Sequence, residues 1–150
     1  MHTKFILLIA FSIISNFKLT AQAINDFQSH QNGNWNQTST CERWDGTTWV
    51  TPAPFTPTSS EGSITILNSH IVSVSAAVSA DQTVINTGGQ ITTNPGITLT
   101  IANGSGDDLT INGTFLNSGT LSISTGTMKV NSGASFFHNT TSAISSILNV

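Results

Sequence analysis

A short phrase returns along the second half of the chain: an apolar residue, then Thr, Ser or Lys, a second apolar residue, Asn, and glycine. It reads Leu109-Thr110-Ile111-Asn112-Gly113 and Met128-Lys129-Val130-Asn131-Ser132-Gly133. Val84-Ile85-Asn86-Thr87-Gly88 is a looser copy, and Thr98-Leu99-Thr100-Ile101 and Thr120-Leu121-Ser122-Ile123 repeat the strand half alone. Each copy specifies a very short strand with inward apolar side chains, closed by a corner that needs a small or left-handed residue. Strands so short cannot form an independent sheet and must stack on copies of themselves. The expected fold is an all-β, right-handed parallel β-solenoid (β-helix).

From Ser63 onward the apolar period is two. Ile64 and Ile66, Val72 and Val74, Leu99 and Ile101, Leu109 and Ile111, Leu121 and Ile123, and Met128 and Val130 form pairs with polar residues between them. That alternation marks half-buried strands. A rung of roughly twenty residues gives about four to five rungs.

Residues 24–62 have another character. Trp35, Trp44 and Trp49 lie here with Phe27 and Phe55. Pro52, Pro54 and Pro57 forbid a helix or a central strand through the end of this stretch. The segment is expected to be an aromatic cap that covers the open N-terminal end of a solenoid spanning 63–150. The apolar tail 142–150, without a polar terminal rung, points to a truncated array and to end-to-end self-association.

The first 23 residues read as a secretory signal peptide. Lys4 precedes an apolar stretch from Phe5 to Phe17, and Ala21-Gln22-Ala23 is a small-x-small cleavage site. The apolar run is too short for a stable membrane span, so a secreted, extracellular or cell-surface location without a transmembrane segment is expected.

Charged residues make up 7% of the chain, against roughly 25% in ordinary globular proteins. Beyond the leader only Arg43 and Lys129 are fixed cations, facing Asp26, Glu42, Asp45, Glu61, Asp81, Asp107 and Asp108. So acidic a balance cannot grip a phosphate backbone, which excludes nucleic acid as a partner. Cys41, the single cysteine, is either a free thiol or an intermolecular bridge.

The run Gly33-Asn34-Trp35-Asn36, Thr38-Ser39-Thr40, Trp44, the Pro-rich turn, then Ile64-Thr65-Ile66 and Val72-Ser73-Val74 resembles the opening β-solenoid module of secreted surface proteins of Bacteroidota. The likeness spans about Asp26 to Asn139. More remotely the chain is similar to the glycine-rich G8 module of extracellular proteins. Cys41 stands where such modules usually place their second tryptophan. The resemblance implies a surface scaffold or adhesin-like stalk, without catalytic activity.

Chemistry-bearing motifs are sparse. Glycosidases need two carboxylates across a cleft, and Glu42, Asp45 and Glu61 show no sign of convergence. Lyases need Arg or Lys beside the sugar carboxylate, and the two cations lie near opposite ends. No enzyme activity and no cofactor are expected. Asn103-Gly104-Ser105-Gly106-Asp107-Asp108 resembles one copy of the calcium turns of repeat toxins, which makes Asp107 and Asp108 a weak calcium candidate. One copy supplies only half of an ion's oxygen ligands, and a plain inserted loop is the competing reading. His30, His70 and His138 lack a second ligand at fixed spacing.

Trp35 and Trp49 have two readings: flat faces for sugar rings, or burial in the cap, which removes a large apolar area from water. The first makes the chain a carbohydrate-binding module, or part of a larger glycan-active protein, with extracellular glycans or cell-surface polymers as partners. Thr38-Ser39-Thr40, Thr98-Leu99-Thr100 and Thr125-Gly126-Thr127 invite an ice-binding reading. Their irregular spacing argues against a regular ladder.

Overall fold

The computed structural model describes residues 22–123, 125–141 and 148–149. Most of the expected leader (1–21 of residues 1–23) and most of the apolar tail (142–147 and 150) lie outside them. Sixteen strands and one 3-10 turn (Thr38–Thr40) make up the described elements, and none of the described residues forms a helix long and apolar enough to cross a membrane.

Three sheets wrap one core as a β-solenoid of about four turns. The first sheet holds β1 (Phe27–Ser29), β3 (Cys41–Trp44), β4 (Trp49–Val50), β5 (Ile64–Ile66), β8 (Thr83–Ile85), β11 (Leu109–Ile111), β14 (Met128–Val130) and β16 (Leu148–Asn149). The second holds β2 (Gly33–Asn34), β6 (Ile71–Val74), β9 (Gln90–Thr93), β12 (Thr114–Asn117) and β15 (Ser135–His138). The third holds β7 (Val78–Ala80), β10 (Thr98–Ile101) and β13 (Thr120–Ile123).

Successive rungs pair in parallel, Ile64 with Thr83 and Leu109 with Met128, nineteen residues on in each case. Between β8 and β11 the offset grows because the loop 102–108 is inserted. The periodicity of two decides what lies inside. Ile66, Val74, Leu99, Ile101, Leu109, Ile111, Leu121 and Ile123 are all buried, and Val130 packs partly buried against them. In the looser copy the inward pair is Thr83 and Ile85, while Val84 faces outward. Thr83 tolerates burial because its hydroxyl donates to the Asp81 carbonyl, 3.2 Å away.

The corners explain the Asn-Gly half of the phrase. Asn131 Nδ2 donates to Asn112 Oδ1 of the rung before, at 2.6 Å. A Cβ on Gly113 would collide with the carbonyl oxygens of Asn86 and Gly89, so only glycine lets that corner sit on its neighbour.

The stack extends further toward the N-terminus than residue 63. Phe27 pairs in parallel with Ile64, and Gly33 with Val72, so β1 and β2 are already a partial rung. The covering role falls to the chain from β3 to Pro57. The backbone reverses, β3 pairs antiparallel with β1, and β4 folds back on β3. Asp45 Oδ1 accepts the Thr47 and Thr48 amides at 2.8 Å each and fixes that hairpin turn. The Pro-rich segment then crosses the open end, where Pro57 accepts the Trp35 indole N–H at 2.9 Å.

Candidate functional site

The first sheet carries a row of outward side chains, because residues paired across parallel strands share a face. In register the row runs Gln28, Thr65, Val84, Thr110 and Lys129. At its N-terminal end the β3–β4 hairpin adds Glu42, opposite Gln28, and the pair Trp44 and Trp49. The two indoles meet edge to face with centroids 5.5 Å apart, a geometry favoured by the ring quadrupole.

Trp49 walls a groove of about 520 Å³, with Gln28, Thr65 and Val84 on its lining and Asp26, Asn86 and Gln22, the last from the expected leader, also bordering it. Trp49 is half-buried. The groove is braced from beneath: Asp26 Oδ1 accepts the Ser63 amide at 2.9 Å, and Gln28 Nε2 donates to Glu42 Oε1 at 2.5 Å. Burial works to raise the Glu42 carboxyl, but hydrogen bonds from Thr51 and Gln28 and the nearby His30 outweigh it and hold the group below the usual value. His30 Nδ1 lies 3.3 Å from Glu42 Oε2. An aromatic wall over amide and hydroxyl groups is an arrangement that can stack on a sugar ring and bond its hydroxyls.

The structure separates the two tryptophans that the sequence grouped as sugar platforms. Trp35 is 4% exposed and part of the core. The void beside it measures about 20 Å³, room for no more than a water-sized group. Trp35 therefore closes the cap, and only Trp49 borders an open groove. The groove could not be read from sequence, since Gln28, Trp49, Thr65 and Val84 become neighbours through strand register alone.

The calcium candidate also comes apart. Asp107 faces Lys129 Nζ at 3.4 Å on the surface. Asp108 turns inward and is fully buried. Its carboxylate accepts the amides of Gly104 (2.7 Å) and Thr127 (2.6 Å) and the Thr127 hydroxyl (3.1 Å). With those oxygens spent on backbone, Asp108 is the staple of the inserted loop. Asp81 meets it from the preceding rung: burial, then the Asp108 carboxyl, push Asp81 above the ordinary carboxylate value. Burial also opposes ionisation of Asp108, but the Gly104 and Thr127 amides outweigh it and leave that group below its ordinary value. Among the described residues no three His, Cys, Asp or Glu side chains come together to hold a metal ion.

Cys41 is a free, buried thiol, pushed up to about 11 by burial and by the neighbouring Glu42 charge. Burial leaves no access for an intermolecular bridge. His70 Nδ1 lies 2.8 Å from Ser29 Oγ, and His138 Nδ1 lies 3.0 Å from Asn117 Nδ2.

The three Thr-x-Thr segments have different fates. Thr38–Thr40 is the 3-10 turn, and Thr127 is bonded to Asp108. Thr98 and Thr100 pair with Thr120 and Ser122, and Thr100 also pairs with Ser79. This gives one hydroxyl ladder three strands wide, which the serine replacements conceal in the sequence.

Compared with protein-family models, with curated proteins and with solved structures, the chain matches none.

Proposed function

We propose that the chain is a secreted structural and adhesive surface module, without catalytic activity, that holds an extracellular glycan or cell-surface polymer in the groove beside Trp49. The observation that carries this reading is the Trp49 wall over Gln28 and Thr65 on a rigid, ladder-bonded sheet. A platform fixed by backbone hydrogen bonds loses little freedom on binding, which favours adhesion to an extended polymer. The carboxylates at the groove support a binding rather than a catalytic role. Asp26 accepts the Ser63 amide and Glu42 is bonded by Gln28 and Thr51, so both carboxylates brace the strands that form the groove. Export is supported by the N-terminal sequence, with Lys4, the apolar stretch and Ala21-Gln22-Ala23. The likeness of the Gly33-to-Val74 run to surface modules supports the same location.

The test is a glycan array probed with the chain lacking residues 1–23, beside Trp49→Ala. Retention of the parent, and loss in a variant that still melts in one cooperative transition only a few degrees lower, is the expected result. A folded parent that binds no glycan, or equal retention of both proteins, overturns the reading.

A further inference from the structure

The groove has a charge pattern that narrows its ligand. Its lining includes one acidic side chain, Asp26, and Glu42 stands beside Gln28 in the outward row. Neither of the chain's two fixed cations beyond the leader lines the groove. Arg43 donates to Asn25 Oδ1 at 2.6 Å and lies over the Phe55 ring, 5.7 Å from its centroid. Lys129 pairs with Asp107, two strands beyond Val84 in the outward row, a distance of about 10 Å at the usual strand spacing. His30, beside Glu42, is the remaining titratable neighbour.

The hydrogen-bonding balance points the same way. Because Gln28 gives one N–H to Glu42, its carbonyl oxygen remains an acceptor, and Asp26, bonded to the Ser63 amide through Oδ1, keeps Oδ2 for a donor once the Ala23 amide leaves with the leader. Sugar hydroxyls and N-acetyl amides supply donors, whereas ionised carboxylates and sulfates offer acceptors only. An anionic polymer would also bring like charge against Asp26 and Glu42, with neither Arg43 nor Lys129 on the lining to offset it.

We infer that the groove selects an uncharged glycan, a polymer of neutral hexoses or pentoses or of N-acetylated hexosamines, and rejects uronate- and sulfate-bearing chains. The inference rests on the adhesive reading above. The ligand class follows from the sign of the charges around the groove, and the anchoring ring is Trp49.

The experiment is affinity electrophoresis of the chain lacking residues 1–23 at low salt. The gels contain neutral polymers (a β-glucan, a mannan, a xylan and chitin oligomers) or acidic ones (polygalacturonate, alginate and chondroitin sulfate). Trp49→Ala and Val84→Lys run alongside. The lysine should be tolerated, since Lys129 occupies the same outward row two strands on. The expected result is retardation by at least one neutral polymer and by no acidic one, lost in Trp49→Ala. Val84→Lys should weaken neutral binding about tenfold and create retardation by the acidic gels. Trp49-dependent retardation by acidic polymers in preference to neutral ones would overturn this inference while leaving the adhesive groove standing. No retardation in either set, or neutral retardation that survives both substitutions, would overturn the groove itself.

Discussion

Trp35 donates its indole N–H to the carbonyl oxygen of Pro57 across 2.9 Å, tying the first partial rung to the last proline of the cap. The contact satisfies a buried donor and pins the chain that crosses the open end of the core. Among the described residues Trp49 makes no such bond, and its ring packs on Trp44 and borders the groove.

The two tryptophans should therefore separate on substitution. Trp35→Ala is expected to cost about 3–5 kcal/mol, the range for deleting a large core aromatic. Trp49→Ala should cost less: roughly 0.5–1.5 kcal/mol for the lost ring pair, plus the smaller area that a half-buried indole keeps from water. Urea denaturation of both variants measures the contrast, and equal losses would show that Trp49 is also a core residue.

The corner at Gly113 gives a second prediction. A methyl group there meets backbone oxygens of the preceding rung rather than flexible side chains. Gly113→Ala should destabilise by about 1–3 kcal/mol, as overpacking does. Ile111→Asp, which buries an unpaired charge in the same rung, should abolish the β-sheet circular dichroism signal.

The Asp81–Asp108 pair sets a pH dependence. Asp81 sits above its ordinary value of 3.8 in the folded chain, so the fold binds that proton more tightly than the unfolded state does. Its stabilisation is complete below about 3.8 and is lost as pH rises through the raised value. Asp108 sits below 3.8, so its stabilisation is complete above that value and is lost as pH falls through the lowered one. The loop 102–108 is thus held best in the acid window where Asp81 carries the proton and Asp108 does not. Asp81→Asn, which supplies an N–H donor that does not titrate, should stabilise the fold by about 1 kcal/mol at neutral pH. Melting curves across pH 3 to 8, roughly the range of carboxyl titration, would contradict this if parent and variant showed the same profile.

Cys41 should resist modification. A thiol buried at 6% exposure and pushed up to about 11 is protonated and screened at neutral pH. A disulfide reagent should label it only after denaturation. Rapid labelling of the native chain would mean that the cap opens readily around Thr38–Trp44.

Much of this architecture is visible in the residues themselves. Alternation such as Leu109-Thr110-Ile111 decides which side chains face inward, because successive Cβ atoms in a strand point to opposite faces whatever lies beyond. The Asn-Gly corners are equally local, since a rung can turn there only where backbone approaches backbone. The inward pairs of β5, β6, β10, β11 and β13 and the need to stack were therefore settled by the sequence alone, whereas β7, β9, β12 and β15 carry no copy of the phrase. The fate of Trp35 against Trp49, the inward turn of Asp108 and the groove over Gln28, Thr65 and Val84 were decided only by tertiary structure. Each depends on which strand lies beside which: β1 pairs in parallel with β5 on one edge and antiparallel with β3 on the other. Period two is the same for either pairing, so the pattern carries the faces but not the neighbours. The site exists only where those neighbours meet.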